Sequence, residues 1–107
     1  MSLNTTEADV GFTEIDLNDT NTTSTVYDPN TDGEIYGVFM ENGGSTAEVQ
    51  LEVTDGTDTA VLAVPGAGND LAFSETIRIS TTESLQINVT TAEGAAQTNT
   101  AAVSRSE

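Results

Sequence analysis

Apolar and polar residues alternate with a period of two along most of this chain, and that alternation restricts its fold more than any other feature. Every second residue is apolar in residues 47–54, and the same pattern recurs in residues 85–90. Successive side chains of a β-strand point to opposite faces of the sheet, so this period indicates strands with one buried face. We therefore predict that Leu51 and Ile87 lie in a core and that Glu52 lies on the opposite, solvent-facing side.

Other strands follow from shorter patterns and from the turns between them. Residues 35–40 form a more continuous apolar run, which predicts a central strand covered on both faces. Clusters of Gly, Asn, Asp and Pro separate the apolar segments, and these residues are typical of tight turns. No segment has a sustained helical period. The predicted strands span residues 10–17, 23–28, 34–42, 46–54, 58–64, 70–73, 75–80, 84–91 and 97–103.

These strands predict an all-β fold, a single jelly-roll-like β-sandwich of about eight or nine short antiparallel strands. A chain of 107 residues has little room for a second core. Residues 1–22 differ from the rest because they are acidic and rich in Thr and Asn. We expect residues 1–22 to form an N-terminal arm or edge strand, and residues 23–107 to form the β-sandwich domain.

The charge of the chain indicates the solvent to which it is adapted. It has 18 Asp+Glu against 2 Lys+Arg, which gives a formal net charge of −16. At low ionic strength these charges repel one another and destabilise the compact state, whereas at molar salt the Debye length is about 3 Å and the repulsion is screened. The composition resembles that of haloarchaeal proteins and of the proteins of their viruses.

The same composition excludes several classes of function. Two cations cannot neutralise a phosphate backbone or attract the chain to an anionic membrane, so we expect no nucleic-acid partner and no membrane partner. The chain has no His and no Cys, and both of its cations are Arg, so the usual nucleophile–base pairs cannot be assembled. We therefore expect a binding protein and not an enzyme, with no catalytic residue and no cofactor.

Three motifs follow one another along residues 24–103: Thr-Val-Tyr-Asp-Pro at residues 25–29, Asn-Gly-Gly-Ser-Thr-Ala at 42–47 with Leu-Glu-Val-Thr-Asp-Gly at 51–56, and Ser-Leu-Gln-Ile-Asn-Val at 84–89 with Ala-Glu-Gly at 92–94. In their order these motifs resemble a family of small virion proteins of tailed phages. The sequence departs from that family at residues 28–34, where a short turn with a Lys is replaced by a longer acidic loop. The resemblance implies a compact β-sandwich that oligomerises and binds a lattice on the outside of a virus particle.

The resemblance and the acidic composition together imply a structural virion protein. The expected role is a capsid decoration, cement or turret module on the outer surface of the head of a haloarchaeal tailed virus, assembled in the host cytoplasm. Its expected partners are further copies of itself and the major capsid protein or another virion protein. The alternative is a cell-surface or secreted adhesive β-sandwich module of a halophilic archaeon.

An apolar cluster in the N-terminal segment is the first candidate interface, formed by Val10, Phe12, Ile15 and Leu17. The cluster has no hairpin partner in its own segment, and small domains with thin cores commonly gain stability by oligomerising. We expect a homo-oligomer, first a trimer and second a pentamer, in which residues 9–17 contact a neighbouring subunit or the capsid. The alternative is that the segment adds a strand to its own sheet.

Arg78 is the other candidate interface residue. It is one of the two cations and lies between Ile77 and Ile79 in a predicted strand. Its planar guanidinium is suited to a carboxylate of a neighbouring subunit. An intrachain salt bridge is the alternative.

The loop after the second predicted strand matches the first half of a calcium-binding loop, with oxygen-bearing side chains at Asp28, Asn30 and Asp32 and a following Gly. Its twelfth position is Phe39, where a calcium loop has a bidentate Glu. We therefore expect at most weakly bound Ca²⁺, Mg²⁺, Na⁺ or K⁺ there, and the alternative is an ordinary acidic hairpin loop.

Overall fold

The computed structural model describes residues 9–18, 22–29 and 33–106, and within them the chain forms nine β-strands and no helix. Each strand lies where the sequence predicts one, with its ends displaced by a few residues at most. No helix capable of spanning a membrane occurs in these ranges. The strands are β1 (Asp9–Asp16), β2 (Thr22–Tyr27), β3 (Gly33–Met40), β4 (Glu48–Thr54), β5 (Thr59–Ala63), β6 (Leu71–Phe73), β7 (Ile77–Ile79), β8 (Ser84–Thr91) and β9 (Thr98–Ser106).

The nine strands form two antiparallel sheets. The order in the five-stranded sheet is β1-β9-β3-β6, with β7 also paired to β3, and the order in the four-stranded sheet is β2-β8-β4-β5. The first strand thus pairs with the last, β2 pairs with β8, and β3 pairs with β6 and β7, which leaves β4–β5 as the innermost hairpin. This nesting is the jelly-roll arrangement, and it confirms the all-β sandwich predicted from the sequence.

The side chains between the two sheets form one core. Leu51 of β4 and Ile87 of β8 pair in register and are fully buried, as predicted. Ile35 and Val38 of β3 and Val103 of β9 belong to the same buried cluster. Complete burial of such a side chain contributes about 1.5–3 kcal/mol, so the alternating apolar positions supply the main stabilisation.

Strand β1 is an edge strand of the five-stranded sheet, and β9 pairs with it from Asp9 to Asp16. Leu17, the residue after the end of β1, is held by two backbone hydrogen bonds. Its N–H donates to the carbonyl of Gln97 at 3.0 Å, and its carbonyl accepts from the N–H of Glu93 at 2.8 Å. The segment therefore adds a strand to its own sheet, next to the strand most distant from it in sequence. Residues 1–8 and 19–21 of the predicted N-terminal segment lie outside the described residues.

Strand β3 differs from its prediction. It lies between β9 and the short strands β6 and β7, and Ile35, Val38 and Met40 face the core. Phe39, however, points away from the core and is 41% exposed. The expectation that both faces of this strand are covered is therefore wrong. The continuous apolar run arises from a register shift between Ile35 and Gly37, which interrupts the alternation, and from an apolar residue on the outer face.

Candidate docking face

A row of apolar side chains crosses the outer face of the five-stranded sheet. Ala102 of β9 pairs with Phe12 of β1 on one side and with Phe39 of β3 on the other, and Phe39 also pairs with Ala72 of β6. Directly paired residues point to the same face of a sheet, so these four side chains are neighbours. Phe12 is 71% exposed, and Val10 beside it on β1 is 48% exposed. We call the surface formed by these five residues the docking face.

Most of the Phe residues of the chain lie on the docking face. The sequence has three Phe residues, and two of them lie on this face, whereas Phe73 is buried. Single exposed apolar residues are ordinary on protein surfaces, but a contiguous row of them is typical of an interaction site. Burial of a Phe side chain contributes about 1.5–3 kcal/mol, and most of that contribution is absent at Phe12 in the isolated subunit. The docking face is therefore the strongest candidate functional site in the described ranges.

A shallow groove of about 390 Å³ runs beside Phe39. The Phe39 ring lies against Gly37, where a Cβ atom would come within 2.5 Å of Phe39 Cε2. Any residue larger than Gly at position 37 would therefore displace the ring and change the shape of the face. The groove is lined by Phe39, Glu41, Asp70, Ala72, Thr100 and Ala102.

Carboxylates surround the docking face on two sides. Glu14 and Asp16 follow Phe12 on the same face of β1, and both are exposed. Glu41 and Asp70, also exposed, line the groove. The face therefore combines an apolar centre with an acidic rim.

Hydrogen bonds hold Asp70 in position at the groove. The backbone N–H of Asn42 donates to Asp70 Oδ1 at 2.8 Å. Asn42 is buried, and its side-chain Nδ2 donates to the carbonyl of Ala47 at 3.1 Å while its Oδ1 accepts from the N–H of Gly44 at 2.9 Å. The carboxylate of Asp70 thus accepts from the backbone of a buried residue whose side chain is itself hydrogen-bonded, while Asp70 remains exposed.

The predicted interface residues of β1 fall into two groups. Val10 and Phe12 are exposed and lie on the docking face. Ile15 and Leu17 have no exposed surface and belong to the core of their own chain, so the expectation that they contact a neighbouring subunit is wrong. The physical reason is the pairing of β1 with β9, which turns Ile15 toward the opposite sheet.

Arg78 lies at one end of the same sheet. It pairs with Glu34 across β7 and β3, and its Nε atom is 3.8 Å from Glu34 Oε2. The intrachain salt bridge weighed from the sequence is therefore present, although exposed pairs of this kind contribute only about 0–1 kcal/mol. The Arg78 side chain is 85% exposed, and its role at an interface stays a prediction.

The second cation, Arg105, points in the opposite direction. Its guanidinium carbon lies 5.7 Å from the centre of the Tyr27 ring, within the range of a cation–π contact. A Cβ atom at Gly11 would overlap the Arg105 guanidinium, so Gly11 provides the space that this side chain occupies. Its pairing with the core residue Ile35 and its contact with Tyr27 place Arg105 between the two sheets and away from the docking face, a position that its sequence context does not indicate.

The predicted cation site lies mostly outside the described residues. Asp28 is described and exposed, whereas Asn30 and Asp32 are not among the described residues. Weak binding of Ca²⁺, Mg²⁺, Na⁺ or K⁺ at this loop stays a prediction.

Glu52, on the other sheet, is buried and not solvent-facing. Only 5% of its surface is exposed, although it points away from the core. Three amide groups close over it: Gln86 Nε2 donates to Oε1 at 2.7 Å, and Gln50 Nε2 and Asn88 Nδ2 donate to Oε2 at 2.8 and 3.1 Å. The prediction for Glu52 is therefore wrong, because long polar side chains in the middle of a sheet can cover a carboxylate as effectively as a second layer.

The environment of Glu52 favours its ionised form. Burial raises the pKa of Glu52, but the hydrogen bonds from Gln86, Asn88 and Gln50 lower it by more, so the pKa lies below its usual value. Both oxygens of the Glu52 carboxylate accept hydrogen bonds from side-chain amides of the same chain. Glu52 is therefore a structural centre of the four-stranded sheet, and the docking face remains the better candidate for binding.

Three residues of the docking face, Phe39, Ala72 and Ala102, could not be recognised as candidate binding residues from the sequence. Two of them are alanines, which carry no chemical signal, and Phe39 lay in a run interpreted as a buried strand. The signal that existed was the pattern of β1, where Val10 and Phe12 alternate with Gly11 and Thr13. That pattern gives β1 an apolar outer face, but only the register of β9 and β3 brings the row together.

No protein-family model matches the chain, and no curated protein matches it. Among solved structures, two crystal structures of a pentameric capsid protein from metagenomic phage sequences are similar, each with a TM-score of 0.48 and 20% identity over 86% of this chain. A chain in a structure of infectious bursal disease virus, Gt strain, has a TM-score of 0.53 and 16% identity over 92% of this chain.

The likeness to the infectious bursal disease virus chain shows a shared fold. It agrees with the jelly-roll sandwich that the strand pairing establishes. The chain spans 59% and 60% of the two phage chains and 30% of the infectious bursal disease virus chain.

Proposed function

We propose that this chain is a structural virion protein, a decoration, cement or turret module on the outer surface of the head of a haloarchaeal tailed virus. It acts by binding another virion protein through the docking face, and it associates with copies of itself through the β1 edge of the same sheet. The observation that carries the proposal is the row of Phe12, Ala102, Phe39 and Ala72 across an outer sheet face. The sandwich fold, shared with a chain of a virus particle, supports it.

The energetics of the isolated subunit support a binding role. A small sandwich has few large apolar residues for its core, yet this chain leaves Phe12 and Phe39 largely or partly exposed. Covering both rings adds apolar burial at about 25 cal/mol per Å², which is the main favourable term in protein association. A partner that covers this face therefore adds apolar burial at two side chains that contribute little to the stability of the monomer.

The β1 edge of the docking face, at the opposite end of the row from the groove, suits self-association. Val10 and Phe12 lie on β1, an edge strand, so the apolar row continues to the rim of the sheet where a neighbouring subunit can approach. We propose a homo-oligomer, with a trimer as the first and a pentamer as the second expectation. Its formation depends on molar salt, because two chains of net charge −16 repel each other strongly when the Debye length is long.

The experiment that tests this function uses particles of the virus that encodes the chain. The chain is sought by mass spectrometry in particles purified in molar NaCl. The particles are then stripped by dialysis to about 0.1 M salt, where screening extends to roughly 10 Å, and recombinant chain is added back in molar NaCl.

Saturable rebinding at a fixed copy number per particle is the expected result. Absence of the chain from purified particles, together with no rebinding to stripped ones, would contradict the proposal. Light scattering of the free chain in molar NaCl measures self-association separately, and a mass that remains that of a monomer at all concentrations would contradict the homo-oligomer.

A further inference from the structure

We propose that the groove of the docking face receives an arginine or lysine side chain of the partner, carried on an apolar segment. Its aliphatic stem lies on Ala72 and Ala102 beside the Phe39 ring, and its cationic group lies between Glu41 and Asp70. The inference rests on the proposed function, since it names the chemistry of the virion protein that the face binds.

The lining of the groove matches the two parts of such a side chain. Ala72, Ala102 and the Phe39 ring are apolar, whereas Glu41, Asp70 and Thr100 are polar. Long cationic side chains bury their methylene groups on apolar surface while the charged group stays in contact with water or a carboxylate.

Charge complementarity selects this occupant over a second copy of the chain. Four carboxylates, those of Glu14, Asp16, Glu41 and Asp70, surround the face. Among the described residues, Arg105 points away from the face and Arg78 lies at the far end of the sheet beside Glu34. A second copy placed on the groove would bring the same acidic rim against it, and like charges at an interface disfavour association. A cation-bearing partner neutralises the rim.

The position of Asp70 strengthens the assignment. Because Asn42 N–H holds one oxygen of Asp70 at 2.8 Å, the carboxylate is oriented at the groove before any partner arrives. A carboxylate fixed in this way loses less side-chain freedom on binding than an unrestrained one, so more of the pairing energy appears as affinity.

The test uses an end-blocked peptide of alternating leucine and arginine as the probe. Binding is followed by backbone amide chemical shifts of the isotope-labelled full chain in 1 M NaCl, where long-range attraction between the peptide and the acidic chain is screened to about 3 Å. The control peptide has citrulline in place of arginine, which keeps the shape of the side chain and removes its charge.

Two double variants separate the groove from the general negative charge. Asp70→Asn with Glu41→Gln removes two charges at the groove, and Asn at position 70 keeps an oxygen that accepts from Asn42 N–H. Asp58→Asn with Glu75→Gln removes two charges from exposed residues that do not line the groove. A lost pair of charge-assisted contacts weakens binding by about tenfold or more.

The expected result is that shift changes concentrate on the groove residues and vanish with the citrulline peptide. The groove variant should bind about tenfold more weakly, and the control variant should bind like the unmodified chain. Equal binding of the citrulline peptide, equal losses in both double variants, or no binding at millimolar peptide would overturn the inference.

The proposed function and this inference fail in different ways. If the chain rebinds to stripped particles but the peptide does not bind, the virion role stands and the cationic partner is wrong. If the groove residues shift with protein concentration in the absence of peptide, a second copy occupies the face and the inference is overturned. If the peptide binds at the groove but the chain is absent from particles, the proposed function is wrong and the cation-binding chemistry of the face stands.

Discussion

Phe12 and Phe39 flank Ala102 from opposite sides in one row across the outer face of the five-stranded sheet. They belong to strands that are not neighbours, and β9 lies between them. The two rings therefore form one surface only when the first, third and last strands are assembled. A chain that exposes two of its three Phe residues in this arrangement presents an apolar surface created by its topology.

Mutations on the two faces of β1 should differ strongly in their effect on stability. Ile15→Ala should lower the free energy of unfolding by about 2–5 kcal/mol, because it removes buried methyl groups and leaves a cavity. Phe12→Ser should change it by only about 0.5 kcal/mol, since most of the ring is exposed. Urea unfolding in molar NaCl measures both, at a chain concentration where light scattering shows a monomer. If Phe12→Ser is as damaging as Ile15→Ala, the outer face of β1 is covered within the monomer and is not available for docking.

The buried, hydrogen-bonded position of Glu52 predicts that this side chain stabilises the fold, although the sequence pattern places it in solvent. Glu52→Ala removes the acceptor of three amide donors and should cost about 1–3 kcal/mol, because those donors are left without their charged partner. Glu48→Ala, on the same face of β4 but only partly buried, is the matched control and should cost much less. Equal free energies of unfolding for the two variants would contradict the buried network.

Acidification should destabilise the fold through carboxyls whose pKa is lowered by folding. Burial opposes the lowering at Glu52, but its hydrogen bonds prevail, and backbone N–H groups of Thr46 and Ala47 lower the pKa of Glu93. The usual value for both is 4.5. Their contribution is therefore complete above pH 4.5 and is lost as the pH falls through the lower, folded-state pKa values.

The measurement is urea unfolding between pH 6 and about pH 2.5 in molar NaCl, which screens the repulsion among the remaining carboxylates. The free energy of unfolding should fall below pH 4.5, and Glu93→Gln should reduce the slope. A free energy that rises on acidification in molar salt would mean that charge repulsion, and not these hydrogen bonds, dominates the pH dependence.

The net charge of −16 predicts a salt-dependent fold. Lowering NaCl from molar to roughly 0.1 M lengthens the Debye length from about 3 to 10 Å, so carboxylates repel one another across the surface. The melting temperature, followed by circular dichroism, should therefore drop markedly. An unchanged melting temperature over that range would show that the acidic surface is not an adaptation to high salt.

Most of the fold could be predicted from the sequence because period-two alternation is a local signal. Leu51 and Ile87 are buried where their alternation places them. Glu52 and Phe39 were predicted wrongly for one shared reason. Burial on the outer face of a sheet depends on side chains from neighbouring strands, such as Gln86 beside Glu52, and a single strand does not contain that information.

The docking face could be predicted only in part. The apolar residues of the β1 segment indicate an interface, but the sequence alone does not separate Val10 and Phe12, which are exposed, from Ile15 and Leu17, which lie in the core. Their separation follows from the pairing of β1 with β9, a contact between the two ends of the chain. A deletion of residues 1–18 would remove strand β1 and two core residues together, so its effect would not report on an interface alone.

The central claim is that the docking face mediates binding. Its most direct measurement is the rebinding of chain variants to stripped particles in molar NaCl.

Two double variants are compared. Phe12→Ser with Phe39→Ser removes the two rings of the face, and Val61→Ser with Val64→Ser removes two apolar side chains elsewhere, which are 50% and 59% exposed. Both variants must first show the circular dichroism spectrum of the unmodified chain. We predict that the Phe variant loses rebinding while the Val variant rebinds to the normal copy number. Normal rebinding of the Phe variant would contradict the account.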